Sequence, residues 1–241
     1  MWFSKTQEEV LRELGVDRAT GLSSEEAKAR LEKYGRNKLK GKPKKSLAAL
    51  FFDQLKDMLI YVLLGAALIT MIIGEYVDAV IILLVVVLNA IIGVVQEYKA
   101  EKAIEALQQM TTPKALVRRD GQVKEVNSEE VVPGDIVIID AGRYIPADLR
   151  LIDSANLQIE ESALTGESVP SDKDAEAIFD DPKTGIGDRS NMAFMSTLAT
   201  YGRGEGVVVA TAMDTEIGKI AKILDEDNEE MTPLQKRLDE L

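Results

Sequence analysis

The chain of 241 residues contains no cysteine and no histidine. The first absence removes disulfides and thiol chemistry, the second removes imidazole acid–base catalysis, and together they remove zinc clusters built on those ligands. Carboxylates, hydroxyls and lysines remain for chemistry. Basic residues are also scarce, 29 against 41 acidic, for a net charge of −12. The deficit is regional: residues 1–46 hold 12 Lys/Arg against 7 Asp/Glu, residues 47–110 hold 3 against 7, and residues 111–241 hold 14 against 27. So acidic a C-terminal half argues against a nucleic-acid partner, because phosphate backbones are gripped by clustered Lys and Arg.

The opening "MWFSKTQEEV" lacks the apolar run of a cleaved signal peptide and reads as a short helix. In "GLSSEEAKARLEKYGRN", Ser23 and Glu26 fit a capping box, Ala27, Leu31 and Tyr34 share one helical face, and Gly35 is placed to end the helix. Lys38, Lys40, Lys42, Lys44 and Lys45 then crowd one short segment. That segment is either a solvated linker or a strip against a membrane surface, and the two apolar runs on its C-terminal side favour the second.

Residues 58–73, "MLIYVLLGAALITMII", carry no charge, and residues 79–95, "AVIILLVVVLNAIIGVV", have Asn89 as their polar residue. With flanking residues each run approaches the roughly 20 residues that cross the hydrocarbon of a bilayer, giving expected spans of about 49–74 and 78–108. Both runs are apolar all round, whereas a helix in a soluble core usually keeps a polar face. Only "GEYVD" separates them, which predicts a tight antiparallel hairpin. Lysines precede the first run and follow the second as Lys99 and Lys102, while the turn holds Glu75 and Asp78. That asymmetry predicts both ends of the hairpin on the cytoplasmic side. Asn89 either bonds a neighbouring helix or lies near a pathway.

Beyond residue 110 the period changes from 3.6 to 2. "KALVRRDGQVKEVN" alternates around Asp120-Gly121, a hairpin signal, and "DIVIIDAG", "DLRLIDS" and "LQIEES" read as three further strands. A second hairpin is expected in "MAFMSTLATYGRGEGVVVATAM", turning at Gly202, Gly204 and Gly206. "DTEIGKIAKILDE" reads as a helix capped by Asp214 or Thr215. Within this β-rich region "LTGESVP" sets a glycine before an acid on a turn, and residue chemistry alone reads it as favoured turn types.

Taken in order, "GLSSEEAKARLEKYGRN", "NAIIGVVQEYKAEKAIEAL", "VVPGDIVIIDAGRYIPADLRL", "LTGESVP", "NMAFMSTLATYGRGEGVVVAT", "TEIGKIA" and "TPLQKRLDEL" resemble the front part of the P-type cation-transporting ATPases, closest to the type II calcium pumps. The resemblance spans essentially the whole chain. It implies a membrane protein of mixed class: a cytosolic helical arm over 1–46, a two-helix transmembrane hairpin over 47–110, a mainly-β cytosolic actuator domain over 111–227, and a linker over 228–241 toward a third span. It also implies a multi-pass protein of a bacterial-type plasma membrane, with both termini and the actuator domain cytoplasmic.

In that family the TGE loop acts on an aspartyl phosphate formed in another domain. Carried over, Glu167 positions and partly deprotonates the attacking water, Gly166 admits the phosphate, and Thr165 and Ser168 hold the loop through hydroxyl hydrogen bonds. Asp57 lies near the cytosolic mouth of the first span, where calcium pumps carry an acidic pair; here the pair is Lys56-Asp57, so Asp57 is open to two roles, cation access or interface anchor. The resemblance further implies that ATP and magnesium serve the full-length pump and that the present chain binds no cofactor and no metal of its own. Its partners would be the lipid bilayer, the phosphorylation and nucleotide domains, and a transported cation, with calcium ahead of sodium, potassium and protons. The family's DKTGT motif does not occur in the sequence, so the chain alone is expected to be inactive, as a fragment or a naturally short protein. The competing expectation is a membrane-anchored, non-enzymatic β domain that binds or regulates a partner.

Overall fold

Thr6 opens the first regular helix, α1 (Gln7–Leu14), with a reciprocal capping box: its hydroxyl accepts from the Glu9 N–H while the Glu9 carboxylate accepts from its own. The computed structural model describes residues 1–41 and 45–228, apart from the side chains of 108–111 and 225–228. Past Asn228, the expected linker lies outside the described residues, as do Lys42 and Lys44 of the lysine cluster. The chain divides into two units, one combining residues 1–40 with those from 112 onward, the other spanning 41–111.

Helix α2 (Ser24–Tyr34) starts at Ser23, whose hydroxyl accepts from the Glu26 N–H at 3.1 Å. Only half of the expected box forms, because the Glu26 carboxylate turns to Arg30 Nε at 2.8 Å. Ala27 is buried and Leu31 partly so, against Leu22 and Val132. Tyr34, expected on the same face, is exposed because it falls in the last turn, beyond the residues that α2 packs on. Gly35 ends the helix at positive φ with its N–H on the Leu31 carbonyl, as read from the sequence.

In the second unit, α3 (Leu47–Gln54) and α4 (Met58–Ile73) replace the single expected first span. They meet at a 72° bend. The physical cause is Asp57, which sits in an extended conformation and accepts from the Leu59 N–H at 2.8 Å, a capping geometry that starts a new helix where the apolar pattern continues. Gly74 closes α4 in the left-handed region, and α5 (Tyr76–Thr111) follows almost at once. At 1.5 Å per residue α5 is about 54 Å long, so it outruns a hydrocarbon layer of about 30 Å. Among the described residues, helix α5 alone is long and apolar enough to cross a membrane; α3 and α4 meet that test only as a pair. Gly93 gives α5 room beside Gln54, since a Cβ there would lie 2.5 Å from Gln54 Oε1.

The first unit is built on an antiparallel sheet: β1 (Lys114–Arg119), β2 (Gln122–Asn127), β3 (Ile136–Asp140), β4 (Asp148–Glu160), β5 (Ser171–Asp172), β6 (Met192–Ala193) and β7 (Leu198–Ala210). Its order is β2-β1-β3-β7-β4-β5, with β6 on β4. The Asp120-Gly121 hairpin forms as read, both residues at positive φ as a two-residue primed turn requires. Two readings are overturned. "DLRLIDS" and "LQIEES" are one strand, β4, and the glycine cluster makes no turn but runs straight through β7. The reason is close approach: β4 shifts register repeatedly against β7, and a Cβ on Gly202 would lie 2.1 Å from the Asn156 carbonyl oxygen, one on Gly204 2.8 Å from that of Asp153. Glycine is what lets two long bulged strands stay paired.

One face of this sheet buries Val117, Ile139, Leu149, Leu151 and Ile159. The other buries Ile136, Ile152 and Phe194 under Phe3 and Val10 of the arm, each such side chain contributing about 2 kcal/mol. The arm is therefore part of the sheet domain's core. Two buried polar groups fasten it. Asn37 donates to the carbonyls of Ser128 and Pro146 and accepts from the Ala212 N–H. The Arg150 guanidinium donates to the carbonyls of Lys5, Leu151, Ala175, Ala177 and Asn191.

Candidate functional site: a fixed loop with an exposed acid

After β4 the chain makes one short helical turn, α6 (Ser162–Thr165), and Gly166 ends it at φ +77° with its N–H on the Ser162 carbonyl. A side chain at this φ would be strained, which is the structural reason for glycine; the space where a Cβ would stand is open. Thr165 fixes the next residues. Its Oγ1 donates to the Glu161 carbonyl at 3.1 Å and accepts from the Glu167 N–H at 3.2 Å. Ser168 does not share that work: among the described residues its exposed hydroxyl has no hydrogen bond. Glu167 is exposed, and its carboxylate has neither hydrogen bond nor ion pair among the described residues. The loop thus presents a free carboxylate on a held backbone.

Support comes from below. Leu164 packs with Phe179 and Ile186 onto the arm-covered core, and the turn Ile186–Asp188 fits under Thr165 so closely that a Cβ on Gly187 would meet Thr165 Cγ2 at 3.1 Å. At the base of the loop Lys173 Nζ pairs with Glu161 Oε1 at 2.5 Å, both side chains fully buried. Burial raises the Glu161 carboxyl and lowers the Lys173 ammonium, each opposed by the charge of the other. Lys173 Nζ also lies 5.7 Å from the centre of the Phe194 ring. Neither residue was picked out from the sequence. The available signal was a lysine in an acid-rich stretch, six positions after Glu167, with a glutamate six positions before it.

Asp57 belongs to the other unit. It acts there as the cap of α4, a role the sequence reading did not assign, while the neighbouring Lys56 pairs with Asp53 at 2.7 Å.

Asp148, in the "IPAD" stretch, is a further residue that the sequence did not single out. Its two oxygens accept from the Met195 and Glu216 N–H groups, so it caps α7 (Glu216–Asn228) from across the sheet. Thr215, one of the two expected caps, does the same locally, accepting from the Gly218 N–H. Burial pushes the Asp148 carboxyl up to about 6, against the two backbone donors. A carboxyl whose pKa is higher folded than unfolded holds its proton more tightly in the fold. Its stabilising contribution is therefore complete below about pH 4 and is lost as pH rises through the folded value near 6. A carbon-detected NMR titration is expected to give Asp148 a midpoint near 6; a midpoint at the ordinary value of about 3.9 would contradict the burial argument.

Compared with known proteins, residues 109–225 match the P-type ATPase actuator domain, and residues 2–70 match the N-terminus of the cation transporter/ATPase family. The chain thus carries the N-terminal and actuator domains of a P-type ATPase. Among individual proteins it is similar to calcium-transporting ATPase 1 of Bacillus cereus, 59% identical over 98% of this chain and 27% of that protein. A calcium-transporting ATPase of Bacillus subtilis is 45% identical over 98% of this chain and 26% of that protein. The cation-transporting ATPase pma1 of Synechocystis is 43% identical over 95% of this chain and 25% of that protein. The chain spans about a quarter of the length of these relatives.

Proposed function

We propose that this chain is the arm, membrane hairpin and actuator part of an ATP-driven pump, with calcium as the transported ion. On this reading ATP phosphorylates an aspartate elsewhere in the pump, and the actuator domain brings Glu167 to the aspartyl phosphate. The Glu167 carboxylate takes a proton from a water whose oxygen attacks phosphorus. The bond from phosphorus to the aspartate oxygen breaks, the carboxylate leaves with the electron pair, and inorganic phosphate is released. The observation that carries the reading is the double hydrogen bond of Thr165, which immobilises the Glu167 backbone while its side chain stays free. Gly166 leaves the loop's approach open, in keeping with a phosphate coming close.

ATP and magnesium would be bound by the rest of the pump. Among the described residues no group of three or more carboxylates is arranged to hold a metal ion. The membrane reading is supported by α5, whose most apolar stretch has a mean hydropathy of 2.8 and is only 17% buried. A helix at the core of a soluble protein would be mostly covered. On this reading α3 to α5 form the hairpin, the actuator domain and both termini face the cytoplasm of a bacterial cell, and the bend at Asp57 lies at the cytosolic mouth, where the cap residue also serves cation access.

Calcium is favoured by the names of the Bacillus relatives, and the broader name of the Synechocystis relative keeps other cations as outcomes of the test. Inverted vesicles carrying the complete pump are expected to accumulate radioactive calcium on addition of ATP and to release it to an ionophore. ATP-driven uptake of sodium, potassium or protons instead would overturn calcium while keeping the pump. Absence of any ATP-driven uptake would overturn the pump itself.

A further inference from the structure

We propose that the buried Lys173–Glu161 ion pair is a positioning element for Glu167, holding the loop in the geometry that dephosphorylation needs; this rests on the pump reading. The pair stands at both feet of the loop, six residues before Glu167 and six after it. From Glu161 a continuous set of bonds leads to the acid. The Glu161 carbonyl accepts from the N–H groups of Leu164 and Thr165 and from the Thr165 hydroxyl, and that same hydroxyl receives the Glu167 N–H. From Lys173 the other foot is fixed to the sheet: its N–H donates to the Leu157 carbonyl, and the preceding Ser171 and Asp172 pair with β4. The ion pair closes these two feet on each other.

Stability does not account for such a pair. Removing two charges from water is costly, their attraction does little more than offset it, and an apolar pair of the same volume usually serves a fold as well or better. What an ion pair adds is a defined distance between two main-chain segments, here the two that end the loop. The carboxylate of Glu161 is also committed to Lys173, which leaves Glu167 as the free acid of the loop. Glu161 and Lys173 touch no reacting atom and act through Thr165 and Glu167.

The test compares variants of the complete pump by the decay of its phosphorylated form. The double variant Glu161→Gln/Lys173→Met replaces the pair by neutral groups of similar size and leaves no single charge buried. It is expected to melt within a few degrees of the parent, to form phosphoenzyme normally, and to lose it about ten- to a hundredfold more slowly, the loss expected from a small misplacement of a reacting group. The charge-retaining Lys173→Arg should decay close to the parental rate. In a Glu167→Gln background the same double change should add no further slowing, because the pair acts only through Glu167. Parental decay in the double variant, or slowing that adds fully to that of Glu167→Gln, would overturn the positioning role. If the double variant does not fold, parental decay in Glu161→Gln alone, a near-isosteric change, would overturn it equally. Normal decay in Glu167→Gln itself would overturn the pump mechanism instead, so the two failures are distinct.

Discussion

Glu167→Gln in the complete pump is expected to leave phosphorylation by ATP intact and to slow loss of the phosphoenzyme by about two to four orders of magnitude, the range carried by a positioned general base. The change is nearly isosteric and removes only the ability to take a proton. The loop's geometry should survive, because it is set by the Thr165 hydroxyl, the positive φ of Gly166 and the packing of Leu164, none of which uses the Glu167 carboxylate. A quench-and-chase experiment would therefore see phosphoenzyme build to at least the parental level and then persist. Decay at the parental rate would remove Glu167 from the mechanism. Reduced formation of phosphoenzyme would indicate a role in the earlier step.

Arg150→Met should destabilise the sheet domain by about 4 kcal/mol, from the loss of charge-assisted hydrogen bonds and the orphaning of the acceptors they served. Arg150 is fully buried, yet among the described residues no carboxylate forms an ion pair with it; its charge is spread over five main-chain carbonyls. Burial lowers its pKa to about 10, which leaves it charged at neutral pH. Methionine keeps the apolar volume but can donate to none of those oxygens, and the Lys5, Ala175, Ala177 and Asn191 carbonyls lie on three separate segments. Urea melts should show the loss directly, and hydrogen exchange should show the arm around residues 3–10 losing protection first. Unchanged stability would mean that the arm is held without Arg150, by its apolar side chains and the Asn37 hydrogen bonds.

Much of this was legible in the sequence wherever the cause is local. The Asp120-Gly121 turn needs two residues that tolerate positive φ, and the sequence has them side by side. Gly35 ends α2 for the same reason, and the glycine of "LTGESVP" marks the turn that carries the loop. The misreadings share a different cause. Gly202, Gly204 and Gly206 look like a turn until β4 is laid against them, when they prove to be where one backbone crosses another too closely for a Cβ. The expected span of about 49–74 looks like one helix until Asp57 is seen capping the Leu59 N–H.

The sequence by itself determined the chemistry on offer, the apolar hairpin pattern and the position of the exposed acid, because composition, periodicity and turn preference are properties of neighbouring residues. Only the tertiary structure decided what holds that acid. Lys173 and Glu161 are twelve residues apart and become a pair only when β4 and β5 bring both feet of the loop together. Arg150 gathers carbonyls from positions 5 to 191 only when the arm has folded over the sheet. Such groups are chosen by long-range burial, where a charge must find its partners or forfeit its solvation, and no local pattern encodes that choice.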